Sequence, residues 1–321
     1  MGWPSSKRPT IEVQSISLNR VEFILANVDI SFANALRRIM LAEVPTLAID
    51  LVTVYENTSI FHDEYLCHRL GLIPIDSRNV NEYNYRDECE CMYQCPKCCI
   101  DFTLDVTCTT NGTLPVTHMD IYPDRNTEDI PLPVRLLDST GQDQQIMIVK
   151  LRKDQKIKVK MTASKGIGKV HAKWIPVATA VYQMERLLRI NPQVESNLSR
   201  KDKMAIVAAL PPNTLKLEEN NLGIGRLVVA ENYDSSMFEV YENKIREIGY
   251  KDLLHIEEDE SRFHFIVEGS GAIPVQRTVE LALEVLDDKL SALQSHLSRI
   301  EKELQANSGV ISMSRPLYNL D

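Results

Sequence analysis

Four cysteines fall within ten residues, Cys89-Glu-Cys91-Met-Tyr-Gln-Cys95-Pro-Lys-Cys98, a C-x-C-x3-C-x2-C spacing. Thiols this close in sequence can surround one tetrahedral ion without help from distant chain, so the segment has to double back on itself. Structural zinc suits such a set: it takes a closed thiolate shell with Zn–S bonds of about 2.3 Å. A full shell of Cys89, Cys91, Cys95 and Cys98 leaves no open position for water or substrate, which argues against catalysis by that metal. An iron–sulfur cluster also uses four cysteines, and spacing alone does not separate the two. Disulfides fit less well. The chain has 7 cysteines, an odd number, and carries no signal peptide or apolar span of membrane length. Both features point to a reducing intracellular compartment, where such clusters bind metal more often than they crosslink. Cys99 is a fifth thiol beside the last ligand, whereas Cys67 and Cys108 read as core residues, since free cysteine buries like a small hydrophobe.

A chain of 321 residues is long for one core and suggests about two domains. With 44% hydrophobic residues it can bury a real interior. The formal net charge of −9 disfavours sequence-independent coating of DNA, which relies on clustered positive charge. Residues 11–16 and 21–25 read as two strands joined by a turn. Ser31 offers an N-cap for a helix that ends before Pro45, with Phe32, Leu36, Ile39 or Met40, and Val44 on its apolar face. From about 47 to 175 the pattern is mostly strand-like, interrupted by a short helix from Asp63 to Leu70 that Gly71 can cap, and by the cysteine loop. Ile157, Val159 and Met161 alternate with Lys156, Lys158 and Lys160, which predicts a half-buried strand with a basic face. Helical stretches are expected around 181–190, 200–210 and 236–248, with a short strand at 226–230.

The second strong signal lies near the end. After a strand at 262–268 and a turn, Pro274 is placed in the first turn of a helix. Along it Val279, Leu283, Leu286, Leu290, Leu293, Leu297, Ile300 and Leu304 recur in steps of 4, 3, 4, 3, 4, 3 and 4. A heptad stripe of this length and narrowness wants a partner helix; the alternative, a long helix packed on its own domain, is less favoured because the stripe exceeds what one small sheet can cover.

Other features carry less. His62, Glu64 and His68 lack the H-E-x-x-H spacing, and Glu64 to His68 is an ordinary i, i+4 pair. Lys150 to Lys173 holds eight lysines and Arg152 against only Asp154. That stretch could meet nucleic acid or an acidic subunit, but the lysines alternate with core residues and lack aromatic interleaving, which favours a solvated strand face. Gly166-Ile-Gly168 and Gly269-Ser-Gly271 are too short for phosphate loops, and no catalytic constellation emerges.

Three blocks together carry a family resemblance. Ser31-Phe-Ala-Asn-Ala-Leu-Arg-Arg-Ile-Met-Leu-Ala-Glu-Val-Pro45 resembles the signature of the alpha-like subunits of multisubunit RNA polymerases. Asn57-Thr-Ser followed by Asp63-Glu-Tyr-Leu-Cys-His-Arg-Leu-Gly-Leu-Ile-Pro74 continues it, and Gly168-Lys-Val-His-Ala-Lys-Trp174 matches a third block. The cysteine loop with Phe102-Thr-Leu-Asp-Val-Thr-Cys is similar to that of the third-largest subunits of eukaryotic RNA polymerase II.

The resemblance implies an α+β fold in two parts. A discontinuous dimerisation domain would take residues 1–46 and 259–305. A mostly-strand insert domain would take 47–258 and carry the zinc loop at 86–101, with a flexible tail over 306–321. It implies a nuclear, non-catalytic assembly subunit that heterodimerises with the smaller alpha-like subunit and contacts the second-largest and small polymerase subunits. DNA would be met only through the whole complex, and no membrane is involved. In this picture zinc sits on Cys89, Cys91, Cys95 and Cys98. Arg37 and Arg38 face the second-largest subunit, and Leu283, Leu286, Leu290, Leu293 and Leu297 face the partner helix. The rival class is a stand-alone zinc protein that binds nucleic acid. It would need a basic surface around the cysteines, where this loop carries Asp87, Glu88 and Glu90 against Arg86 and Lys97. A metalloenzyme comes third, because the closed shell weighs against it.

Overall fold

The computed structural model describes residues 8–125, 130–137, 141–219, 225–230, 233 and 237–307. In chain order the elements are β1 (Thr10–Ile16), β2 (Arg20–Ala26), α1 (Ile30–Ala42), β3 (Pro45–Asn57), α2 (Asp63–Gly71), β4 (Cys99–Thr107), β5 (Leu114–Thr117), β6 (Tyr122–Pro123), β7 (Leu136–Leu137), β8 (Asp143–Gln144), β9 (Met147–Leu151) and β10 (Lys156–Ile167). They continue as β11 (Val177–Ile190), α3 (Pro192–Ser196), α4 (Arg200–Ala209), β12 (Leu215–Glu219), β13 (Gly225–Val229), α5 (Phe238–Glu247), β14 (Leu254–Gly269) and α6 (Val275–Asn307). Two four-stranded sheets form, in the orders β1-β2-β14-β11 and β3-β10-β4-β6, with three two-stranded pairs. The chain divides into two compact units, one of residues 1–12, 23–30 and 182–265, the other of 13–22, 31–181 and 266–321.

The first unit has its own core, built from Leu188, Ile206, Leu210, Leu215, Leu227, Phe238, Tyr241, Ile245, Leu253 and Leu254. The Ser199/Asp202 capping box starts α4 by satisfying two backbone donors reciprocally. A buried ion pair ties the pieces together. Lys203 Nζ lies 3.5 Å from Glu195 Oε1 and donates to the Gly225 carbonyl at 2.9 Å, while Glu195 Oε1 accepts from Leu227 N at 2.6 Å. These extra bonds matter, because burying two charges costs more than their attraction returns unless the remaining donors and acceptors are satisfied. The helices expected at 200–210 and 236–248 and the strand at 226–230 are present as α4, α5 and β13. The helix expected at 181–190 is not: those residues complete the long strand β11. Cross-strand contacts override its helical look. Tyr182 packs on Phe263 and Phe265 at ring distances of 5.4 and 5.3 Å, and Arg186 and Arg189 pair with Glu258 and Glu257.

In the second unit, β10 is central. Ile157, Val159, Met161 and Ala163 are fully buried, as the alternation predicts. The basic face has a specific occupation. Lys156 pairs with Glu56 at 3.0 Å, Lys158 with Asp105 at 3.2 Å, and Lys160 with Asp124 at 3.1 Å and Asp101 at 3.5 Å. The acids stand on neighbouring β3 and β4 and just after β6, so each of these three lysines is paired with a carboxylate of its own unit.

The blocks around 31–45 and 168–174 meet in this unit. Lys169 N donates to the Ala42 carbonyl at 2.8 Å, and Thr46 Oγ1 to the Trp174 carbonyl at 2.8 Å. Gly166 lies under the Trp174 ring so closely that a Cβ there would come within 2.3 Å of it. A Cβ on Gly168 would lie 2.5 Å from the Leu41 carbonyl oxygen. Glycine is therefore the side-chain choice that lets strand, indole and helix end approach.

On α1 the buried face is Ala33, Leu36, Ile39 and Met40, with Phe32 only half-buried. Gly71 is not a left-handed cap: it is the last helical residue of α2, and Leu72 follows in right-handed geometry. Pro274 stands just before α6, its carbonyl accepting from Thr278 N at 3.0 Å. The tail expected from 306 lies outside the described residues from 308 onward.

Candidate metal centre and pairing helix

A one-turn 3-10 helix, Arg86–Glu88, leads into the cysteine loop, and β4 leads out of it. The loop closes on a bond from Asn84 N to the Lys97 carbonyl at 2.9 Å. Within it the Cys95 carbonyl accepts from Cys98 N at 3.1 Å and Cys99 N at 3.0 Å, which makes the tight C-x-x-C turn. Lys165 of β10 clamps the base, donating to the Tyr83 carbonyl at 3.0 Å and lying 4.9 Å over the Tyr85 ring. Burial pushes the Lys165 amine below its ordinary pKa.

The sulfurs of Cys89, Cys91, Cys95 and Cys98 all lie within 4.8 Å of one another. Three of their separations, Cys89–Cys95, Cys91–Cys98 and Cys95–Cys98, are each 3.6 Å. A tetrahedron with metal–sulfur bonds of about 2.3 Å needs edges of roughly 3.8 Å, so the four thiols fit one ion with little adjustment. Electrostatics are uneven around the set. The Lys97 backbone N–H lowers the Cys95 thiol to about 7, whereas hydrogen bonding to Cys89 raises Cys91 to about 12.

Cys99 Sγ lies 3.7 Å from Cys98 Sγ but outside the four-sulfur group. As the first residue of β4, in register with Ser164 of β10, it is held in the sheet, and burial pushes its thiol up to about 12. Cys108 is buried and Cys67 half-buried. Sequence reasoning missed Lys165 and Tyr85. Their signal, one lysine of many and one tyrosine before a turn, gives no hint of the clamp.

His68 comes near His171, with ring centres 6.0 Å apart, beside a cavity of about 450 Å³ that Glu64 and Cys67 also line. Among the described residues, however, the four cysteines are the one set of three or more such ligands that converges.

The structure separates the heptad positions into two classes. Val279, Leu283 and Leu286 are half-buried. Leu290, Leu293, Leu297, Ile300 and Leu304 are 56%, 60%, 61%, 47% and 63% exposed, a ridge about 21 Å long at roughly 1.5 Å per residue. Lys289 marks the change, its Nζ bound to both oxygens of Glu43 at 2.9 and 2.8 Å. Arg37 donates to Asn34 Oδ1 on its own helix at 3.2 and 2.9 Å. Arg38 is exposed and makes no ion pair among the described residues.

Comparisons with known proteins agree with one another. Residues 52–183 match the RNA polymerase Rpb3/RpoA insert domain. The chain is 35% identical over 293 residues to DNA-directed RNA polymerase II subunit rpb3 of Dictyostelium discoideum, covering 91% of this chain and 96% of that one. It is 34% identical to DNA-directed RNA polymerases II, IV and V subunit 3 of Arabidopsis thaliana, covering 92% and 94%. To DNA-directed RNA polymerase II subunit RPB3 of Schizosaccharomyces pombe it is 32% identical, covering 94% and 92%.

Proposed function

Because the chain belongs to the RNA polymerase Rpb3/RpoA family, as a third-largest subunit of RNA polymerase II, we propose that it is the assembly platform on which the enzyme's catalytic subunits are built. It is a non-catalytic subunit in DNA-templated transcription. Its partner is the smaller alpha-like subunit, met through α6. The observation that carries this reading is the ridge from Leu290 to Leu304, since an apolar strip of that length in water is a liability unless covered. Residues 1–46 and 259–305 act as the dimerisation domain and 47–258 as the insert. Arg38, with Arg37 beside it, faces the second-largest subunit. Zinc on Cys89, Cys91, Cys95 and Cys98 supplies structure, not reactivity, and the site of action is the nucleus. The acidic residues of the cysteine loop and the paired lysines of β10 both weigh against a stand-alone nucleic-acid-binding protein.

Co-expression with the smaller alpha-like subunit followed by size-exclusion chromatography tests the pairing. Leu290→Asp with Leu297→Asp would put two charges into an apolar seam and is expected to abolish the heterodimer, at a cost of several kcal/mol. Both positions are exposed in the chain itself, so its own fold should survive. Asp287→Ser lies off the stripe and should leave the heterodimer intact. A stable heterodimer from the double variant would remove α6 as the interface.

A further inference from the structure

A second apolar recess shares no residue with the α6 ridge. Three separate stretches surround a groove of about 430 Å³: the turn at Leu18 and Asn19, the strap 132–136 with Asp76 and Arg78, and the turn 271–274 that leads into α6. Backbone bonds hold the three in place. Asp76 N donates to the Leu132 carbonyl at 2.9 Å, Ser77 N to that of Ala272 at 2.8 Å, and Gly269 N to that of Asn19 at 2.8 Å. Gly271, at φ +91°, lets the strap lean in, since a Cβ there would lie 3.2 Å from Leu136.

The groove has an apolar floor and a positive rim. Ile273 is buried, Val134 and Leu136 are half-buried, and at the lip Leu18 is 73% and Leu132 48% exposed. Among the described residues lining it the one carboxylate, Asp76, is already gripped by the fork of Arg78 at 2.5 to 3.0 Å. Arg135 is exposed and makes no ion pair among the described residues. The amino end of α6 opens beside it, adding the positive end of a helix dipole. Floor and rim together suit side chains that are aliphatic at the centre and anionic at the flanks.

We propose that this groove docks a linear acidic–aliphatic segment of another protein, with aliphatic side chains in the recess and a carboxylate against Arg135. The test uses the full-length chain, co-expressed with the smaller alpha-like subunit, and a fluorescent nonapeptide of alternating aspartate and leucine. Saturable binding that weakens with added salt is expected. Arg135→Glu and Leu132→Asp should each weaken it about tenfold or more. Both residues are exposed, and unchanged melting curves would show that the variants fold. Peptides with lysine for aspartate, or serine for leucine, should not bind. Asp287→Ser, off both the groove and the stripe, should leave peptide affinity unchanged, and loss of peptide binding in Arg135→Glu while the heterodimer still elutes intact lets the two readings fail separately. The proposal is overturned if the lysine peptide binds equally well, if neither groove variant changes the affinity, or if no saturable binding is seen.

Discussion

Individual thiols differ in what the backbone lets them do. Cys95 supplies a sulfur to the four-thiol set and a carbonyl to the turn that gathers Cys98. Cys99 is nearly as close to Cys98 as the other ligands are, yet the first residue of a paired strand cannot turn into the shell without breaking its register. Elemental analysis should therefore find about one zinc per chain, as a single closed shell requires. Cys95→Ser should lose most of that metal and Cys99→Ser should retain it. Iron in place of zinc, or metal lost only from Cys99→Ser, would reverse the assignment.

Among elements, β10 shows how one strand serves two faces. Its apolar side fills the core while its lysines meet acids from both neighbouring strands. Asp124 is the best held of these acids. The Thr103 hydroxyl first, and then Lys160, keep its carboxyl below the ordinary range. A depressed carboxylate adds stability above its unfolded pKa and loses it as the pH falls through the folded one. Thr103→Val should thus cost about 1 kcal/mol at neutral pH. Urea unfolding should show that gap narrowing as the pH is lowered through the carboxylate range. The core side of β10 was legible from alternation alone. The acids facing it were not, because pairing across strands joins residues far apart in sequence. The same limit explains β11, where Leu187 and Leu188 suggest a helix until the Tyr182 contacts are known. The cysteine set and the α6 stripe were legible because their geometry is written locally, within ten residues or along one helix. The clamp of Lys165 on Tyr83 and Tyr85 depends on tertiary folding and left no such trace.

Across the whole molecule, the cysteine loop is a small part of one of two compact units, and the other has a core of its own. Metal binding is coupled to the ordering of its own ligands, so removal should act nearby. Chelation followed by hydrogen exchange is expected to raise exchange across 84–99 and leave the amides of α4 and α5 protected; loss of protection in both would show that the ion supports the entire fold. The leucine ridge on α6 reaches further than assembly geometry. If α6 pairs as proposed, a copy made without its partner would carry an open apolar strip that quality-control machinery can bind, and its lifetime in the cell should depend on how much partner is present. Pulse-chase measurement should find the unpaired chain degraded faster than the paired one, and Leu290→Ser with Leu297→Ser should lengthen the life of the unpaired form. The cell's supply of this subunit would then follow the scarcer of two gene products, with surplus removed by turnover instead of by control of synthesis.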